Sequence, residues 1–176
     1  MITGDSLMKS AVAALLVALS SADVTVMAAP ANAPDSVWVS TQPTLSSAAA
    51  RKLLAQAIEM GDKRGYRLCV AIADASGNLL DFDRHDGAHP GCVDAAIAKA
   101  KSAASNGVDT EVLLKLAHDT NPGIGAIPGI VPAVAGDVLR YRGVVIGAIG
   151  IAGGPNDAEE TRFAGELRRL LEQWLD

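Results

Sequence analysis

Residues 68–84 have the sequence LCVAIADASGNLLDFDR, and this stretch decides the fold. Residues 68–73 are continuously apolar, as in a strand that is covered on both faces. The polar and glycine residues at positions 74–78 are turn formers. Residues 79–84 are expected to form the returning strand, on which Asp81 and Asp83 share one side and Phe82 lies on the other. We therefore predict a β-hairpin with antiparallel strands.

Helical patterns lie on both sides of the hairpin. Upstream, apolar residues at helical spacing predict a helix that begins near residue 46 and ends at Gly65. Downstream, Pro90 opens a second, alanine-rich helix over residues 91–105, and a shorter helix is expected over residues 109–118. The small side chains of the second helix indicate that another backbone approaches it closely.

The C-terminal part supplies two more strands and a last helix. Residues 121–132 are rich in Gly and Pro, so no regular element is expected there, and their apolar character suits a lid or wall. Strands are predicted for residues 133–139 and 143–152, and a helix for residues 155–175. This order of elements is typical of an α+β protein with an antiparallel sheet rather than of a β-α-β alternation.

The composition narrows the classes of function. The chain has 176 residues, with 20 acidic and 15 basic side chains and a formal charge of −5. Nucleic-acid-binding proteins usually carry a basic face, so no nucleic-acid partner is expected. Aromatic residues make up only 3%, and the core must therefore be built from Ala, Val, Ile and Leu.

Residues 1–31 are predicted to be a secretory signal peptide that starts at Met8. Lys9 provides the basic beginning, residues 11–22 are an apolar run too short to span a bilayer, and small residues follow. We expect cleavage between Ala28 and Asn32. The mature protein would be secreted or periplasmic and would carry no transmembrane segment. Residues 32–43 then form a flexible lead-in, and residues 44–176 form the folded domain.

Two cysteines, Cys69 and Cys92, follow the predicted signal peptide. An oxidising compartment permits a disulfide between them. Cys69 lies in an apolar run, however, where a buried free thiol is the more ordinary state. The sequence leaves their pairing open.

Chemically active side chains are densest in residues 81–89, DFDRHDGAH. On a strand, Asp81, Asp83 and His85 would share one side and could hold a metal, although solvated carboxylates are the more common state of such aspartates. His85 and His89 are candidate ligands because imidazole commonly binds haem iron. His118 is the third histidine of the chain. Nucleophile-elbow, phosphate-loop, zinc-protease and Cys-x-x-Cys motifs are absent from the sequence after the signal peptide.

Four motifs occur in an order that resembles a known family. They are RHDGA at residues 84–88, AKAKSAA at residues 98–104, Pro128-Gly129, and GVVIGAIGIAGG at residues 143–154. In these motifs the chain is similar to the GlcG/HbpS-like haem-degrading family, also called DUF336, which includes the C-terminal domain of PduO-type proteins. The resemblance covers residues 45–175.

This resemblance implies a five-stranded antiparallel sheet with flanking helices, and a homo-oligomer that is at least a dimer, since family members form dimers and larger rings or octamers. It also implies haem or a related tetrapyrrole as the ligand, with a role in haem sensing, storage or breakdown. Three positions depart from the family pattern. His85 replaces a Met and adds a candidate ligand, residues 135–138 replace a Gly-Gly-x-Pro element, and Glu160 replaces an Asp.

The leading hypothesis is an exported haem-binding protein. Its pocket would be apolar and would lie between the second helix and the Gly/Pro-rich segment. His89 or His85 would coordinate the iron, and Arg84 or Lys101 would lie near the propionates.

Two further residues are weaker candidates for the iron ligand, and two further functions stay open. Thr110 is an oxygen donor that also suits a helix cap, and His118 ends a helix, where its charge favours the helix dipole. A non-catalytic oligomeric accessory protein would bind a partner, such as a membrane sensor, through the alanine-rich helix. An enzyme acting on a corrinoid or small metabolite ranks last, since the sequence offers no nucleophile–base pair.

Overall fold

The computed structural model describes residue 38 and residues 40–175. The predicted signal peptide, with its cleavage site, lies outside these described residues, and so does most of the predicted lead-in. Contacts divide the chain into two units, residues 1–41 and residues 42–176. The second unit contains all the helices and strands described below.

Four α-helices, four β-strands and one short 3-10 helix are formed by the described residues. Their order is α1 (Ser47–Arg64), β1 (Cys69–Asp74), β2 (Leu79–Arg84), α2 (Cys92–Asn106), α3 (Thr110–Asp119), the 3-10 helix (Pro122–Ala126), β3 (Gly136–Tyr141), β4 (Val144–Ala152) and α4 (Asp157–Leu175). The predicted α+β class and the hairpin of β1 and β2 are confirmed.

The sheet is antiparallel, with the strands in the order β2-β1-β4-β3. It has four strands within the described part of the chain, so the five strands implied by the family resemblance are a wrong expectation. The segment before β3 cannot extend the sheet regularly because Pro128 and Pro132 lack the N–H that a ladder needs. On the other side of the fold, Leu45 donates one backbone hydrogen bond, of 2.7 Å, to the oxygen of Ile146 without forming a strand.

The two faces of β1 explain its continuous apolar sequence. Val70 and Ile72 point into a core formed with α1 and α4, where Phe163 and Leu167 are also fully buried. Ala71, like the other alternate residues of β1, points to the opposite face, which α2 covers. Because helices cover both faces, neither side of this central strand carries a charged residue before Asp74.

The alanine-rich face of α2 packs against the chain's own sheet. Ala96, Ala100 and Ala103 are fully buried in the core on that side. A Cβ atom at Gly150 of β4 would collide with the backbone oxygen of Ala96 and lie 2.6 Å from the nitrogen of Ala100. The close backbone approach predicted from the sequence is therefore that of β4. This face of α2 is not available to a partner protein.

A disulfide joins Cys69 at the start of β1 to Cys92 at the start of α2. Their Cα atoms are 5.5 Å apart, and both side chains are buried. The pairing that the sequence left open is thus a covalent link between the sheet and α2.

Two details of the Gly/Pro-rich region differ from prediction. Residues Pro122–Ala126 form a 3-10 helix where no regular element was expected, because a proline at the first turn loses no helical hydrogen bond. Strand β3 begins at Gly136 rather than at residue 133. Ala135, immediately before it, has a φ of 62°, which interrupts the extended conformation.

Candidate functional site

The segment between β2 and α2 forms a tight turn that carries three of the candidate residues. The backbone nitrogen of Ala88 donates to the oxygen of His85, and Gly87 provides the positive φ of 80° that this turn requires. The Arg84 guanidinium closes over the turn and donates to the oxygen of Ala88 from Nε (3.2 Å) and Nη2 (2.8 Å). These contacts bring Arg84, His85 and His89 to one end of the sheet.

His85 is buried between the hairpin and α1. Its Nδ1 lies 3.0 Å from the backbone oxygen of Leu68, and its Nε2 lies 3.3 Å from that of Ile58. Carbonyl oxygens only accept hydrogen bonds, so both ring nitrogens face acceptors. Gly61 leaves room for the ring, since a Cβ there would be 2.8 Å from Nε2. Neither nitrogen of His85 is open to a ligand in this arrangement, in which the imidazole links α1 to the hairpin.

His89 is exposed and precedes the first turn of α2. Its Nδ1 accepts a long hydrogen bond of 3.4 Å from the backbone nitrogen of Gly91. No hydrogen bond or ion pair to Nε2 is formed by any residue that the structure describes. The disulfide at Cys92 fixes the backbone three residues further on. His89 therefore presents an accessible ring nitrogen on an anchored segment.

A cleft of about 380 Å³ lies beside the turn. Its lining residues are mostly charged: Ile58, Asp62, Arg67, Asp83, Arg84, His85 and Asp86. Across the described residues no three His, Cys, Asp or Glu side chains are grouped so as to hold a metal ion. The metal set considered for residues 81–85 is not assembled, because both ring nitrogens of His85 face backbone oxygens. The cleft suits polar groups of a ligand rather than an apolar ring.

The remaining candidates lie elsewhere. Lys101 is exposed on α2, with its backbone near Gly77 of the hairpin turn. Thr110 is fully buried, and its Oγ1 accepts a hydrogen bond of 2.9 Å from the nitrogen of Gly136. Since α2 rises about 1.5 Å per residue, its 15 residues place Thr110 roughly 20 Å beyond the end that carries His89.

His118 is an exposed histidine near the end of α3. Its side chain is 87% exposed, and its Nδ1 lies 2.8 Å from a carboxylate oxygen of Asp119. It is also the last residue but one of α3. The structure therefore brings Arg84, His85 and His89 together, and it leaves Lys101, Thr110 and His118 at separate places.

Sequence reasoning missed a buried ion pair between Lys99 and Glu160. Lys99 Nζ is 2.7 Å from Glu160 Oε2 and also donates to the oxygen of Ile151 at 2.7 Å. The other carboxylate oxygen of Glu160 accepts from the nitrogen of Gly154 at 2.9 Å. The glycine turn before α4 thus binds an anion, which is the chain's own carboxylate. A lysine on the alanine face of α2 was the available signal, because a buried charge needs a partner.

A second polar cluster joins α4 to β3 and to the start of α3. Arg168 Nη1 lies 2.9 Å from Asp109 Oδ2 and 3.3 Å from Asp137 Oδ2. Asp109 also accepts a 2.8 Å hydrogen bond from the nitrogen of Val138. Burial raises the pKa of Asp137 to about 6, against the opposing effect of the Arg168 charge and with a smaller contribution from nearby Asp109. Asp109 and Thr110 thereby satisfy backbone amides of the edge strand β3.

Both the sequence and the fold of the chain match a known protein family. Residues 45–166 match the family described as "Haem degrading protein HbpS-like", and the chain belongs to this family. Among solved structures, a double mutant of Streptomyces reticuli HbpS is 30% identical, with a TM-score of 0.72 over 82% of this chain and 98% of that one. No curated protein sequence matches the chain at a comparable standard.

Two further crystal structures show that the same fold occurs in more distant proteins. Klebsiella pneumoniae protein ORFY, of the DUF336 family, is 22% identical, with a TM-score of 0.72 over 76% of this chain and 94% of that one. A complex of PduOC with heme is 23% identical, with a TM-score of 0.66 over 72% of this chain and 94% of that one.

None of the helices in the described part of the chain is long and apolar enough to cross a membrane.

Proposed function

We propose that the chain is an exported haem-binding protein, with His89 as the iron ligand. The observation that carries this proposal is membership of the HbpS-like family, whose description names haem. The PduOC complex supports it at the level of the fold, since a protein of this architecture holds heme. Export rests on the features of residues 1–31 given above.

His89 is a better ligand than His85 because of its hydrogen bonds. The ring of His85 would have to leave the oxygens of Leu68 and Ile58 to reach iron. For His89, only the 3.4 Å hydrogen bond that Nδ1 accepts from Gly91 has to break. The ring proton can then sit on Nδ1, and the lone pair of Nε2 is free to bind the metal. A hydrogen bond of this length is weak, so breaking it costs little free energy.

The surroundings of His89 fit the polar edge of haem better than its apolar ring. Arg84 and Arg67 line the neighbouring cleft and suit the propionates as guanidinium partners of carboxylates. Lys101 lies about 13 Å further along α2 than Cys92 and is the more distant candidate. The described residues around His89 form no closed apolar pocket, so haem bound there needs a further apolar surface.

A second copy of the chain would supply that surface, and the proposal therefore includes a homo-oligomer. Exposed apolar side chains are available on α3, where Leu116 is 39% exposed. Ile127 after the 3-10 helix is 52% exposed as well. Within such an assembly the protein would act in haem sensing, storage or breakdown.

Haem titration of the purified mature protein tests this function. The wild type is expected to shift the Soret band at about one haem per subunit. His89→Ala should lose that ligand spectrum, whereas His118→Ala, a matched change of an exposed histidine, should retain it. His85→Ala should retain the spectrum and lose thermal stability. An unchanged spectrum and affinity in His89→Ala would exclude this ligand.

The exposed apolar residues of α3 also favour the second candidate, an oligomeric accessory protein that binds a protein partner. The alanine face of α2 is not available as its docking surface because that face covers the sheet. If the wild type binds no haem and Leu116→Ser disrupts the oligomer seen by light scattering, this second function replaces the first.

A further inference from the structure

The surface between α3, β3 and the second half of α4 concentrates positive charge in an acidic chain. Two cavities, of about 520 and about 350 Å³, adjoin there and share Arg140 and Glu172 as lining residues. Together they are lined by four of the nine arginines of the sequence: Arg140, Arg142, Arg168 and Arg169. We call this surface the arginine groove. It lies beyond the C-terminal end of α2, whereas His89 precedes the N-terminal end.

Only one of the four guanidinium groups is neutralised by carboxylates. Arg168 bridges Asp109 and Asp137, as described above. Arg140 donates instead to two backbone carbonyl oxygens, at residue 107 (2.8 Å) and at residue 143 (3.0 Å). These bonds hold its guanidinium in place but leave its full charge uncompensated. Arg140 is thus an oriented cation at the junction of the two cavities.

The other two arginines are also without a carboxylate partner. Arg142 lies over the ring of Tyr141, 5.0 Å from its centroid. Arg169 forms no hydrogen bond or ion pair with any residue of the domain that the structure describes. Glu172 is the one carboxylate that lines both cavities. Three guanidinium groups without a carboxylate partner therefore line the groove, where the lining carboxylates are Glu172 and Asp109, the latter bound to Arg168.

The wall of the larger cavity is apolar as well as basic. Val108, Val112 and Val138 line it beside the arginines. Val112 is 52% exposed, so its side chain is accessible to a ligand in this cavity. Valines next to guanidinium groups fit a molecule that has both an apolar body and anionic groups.

We propose that the arginine groove binds an organic anion with carboxylate groups on an apolar body. Guanidinium groups pair with carboxylates through two parallel hydrogen bonds, while the valines contact the body. Two sources have this chemistry, namely a small free dicarboxylate and the propionates of a tetrapyrrole. The proposal is independent of iron coordination at His89.

Isophthalate, a benzene ring with two carboxylates, is the probe, titrated calorimetrically into the mature protein at low ionic strength. Arg142→Gln combined with Arg169→Gln removes two cations that make no structural hydrogen bond, and it should weaken binding about tenfold. Glu172→Gln removes the opposing charge and should tighten binding. The dimethyl ester of the probe, which has the same ring without charge, should not bind.

The matched control is Arg51→Gln combined with Arg162→Gln. Both arginines are exposed helix residues outside the groove, so the net charge changes by the same amount. This control should bind isophthalate like the wild type, and circular dichroism should show all variants folded. Equal weakening in the control, or equal binding of the ester, overturns the proposal because the effect would then be non-local or purely apolar.

A titration with metal-free protoporphyrin IX distinguishes the two ligand classes, a small free dicarboxylate and a tetrapyrrole with propionates. Its displacement of isophthalate from the wild type would assign the groove to tetrapyrrole propionates. Retention of isophthalate would assign the groove to small dicarboxylates, and both results uphold the carboxylate site. Loss of the haem spectrum in His89→Ala is a separate measurement, so the proposed function and the groove can fail independently.

Discussion

Asp137 should make the stability of the folded domain depend on pH. Its side chain is 9% exposed on β3, and burial raises its pKa to about 6 from 3.8 for the free carboxyl. The native state therefore favours the protonated acid more than the unfolded chain does. The resulting stabilisation is fully present below the unfolded pKa and is lost as pH rises through the folded pKa of about 6.

The size of the effect follows from the two pKa values. One pH unit corresponds to about 1.4 kcal/mol, so the difference between 3.8 and about 6 gives roughly 3 kcal/mol over the whole titration. About 2 kcal/mol of this falls between about pH 4.5 and about pH 7.5. Asp137→Asn keeps the shape of the protonated acid and cannot ionise. The variant should lack this part of the pH dependence.

The assay is urea unfolding of the mature wild type and of Asp137→Asn at those two pH values. Relative to the wild type, Asp137→Asn should be less stable near pH 4.5 than it is near pH 7.5, because only the wild type loses stability as the buried acid ionises. The difference in unfolding free energy between the two proteins should shift by about 2 kcal/mol in favour of the variant between these pH values. Arg168 keeps Asp109 as its partner in the variant. Asp94→Asn, an exposed change on α2, is the control and should leave the pH dependence as in the wild type. Parallel pH dependence in wild type and Asp137→Asn would refute the reasoning.

Three further perturbations test the packing. Gly150→Ala forces a Cβ into the backbone of α2 and should cost more than about 2 kcal/mol, whereas Gly123→Ala, with its nearest contact at 3.7 Å, should cost less than about 1 kcal/mol in the same urea assay. Lys99→Met leaves the buried carboxylate of Glu160 unpaired and should cost about 3–5 kcal/mol. Adding Glu160→Gln should recover part of that loss, and no recovery would contradict an ion-pair origin. Reduction of the Cys69–Cys92 disulfide, which closes a loop over a sequence separation of 23, should lower stability by about 3 kcal/mol, and an unchanged urea midpoint would count against it.

Local pattern was sufficient for most of the secondary structure and for the class of fold. The continuous apolar run of β1, the turn at residues 74–78 and the alternation in β2 each depend on neighbours in sequence, and all three are found as predicted. The same holds for the helix that ends at Gly65, whose φ of 68° is the left-handed cap expected there. Ordered motifs likewise sufficed for the family, which the match over residues 45–166 confirms.

Contacts between distant residues were decided only by the tertiary structure. The Cys69–Cys92 disulfide and the ion pair of Lys99 with Glu160 each join residues more than 20 positions apart, where sequence periodicity carries no information. The number of strands in the sheet was likewise decided only by the tertiary structure. The two histidines of the turn show the same limit. His85 and His89 look equivalent in sequence, yet α1 supplies one ring with a backbone acceptor at Ile58, while the other ring stays in solvent. A side chain's chemistry is set by the groups that folding places around it, and those groups come from elsewhere in the chain.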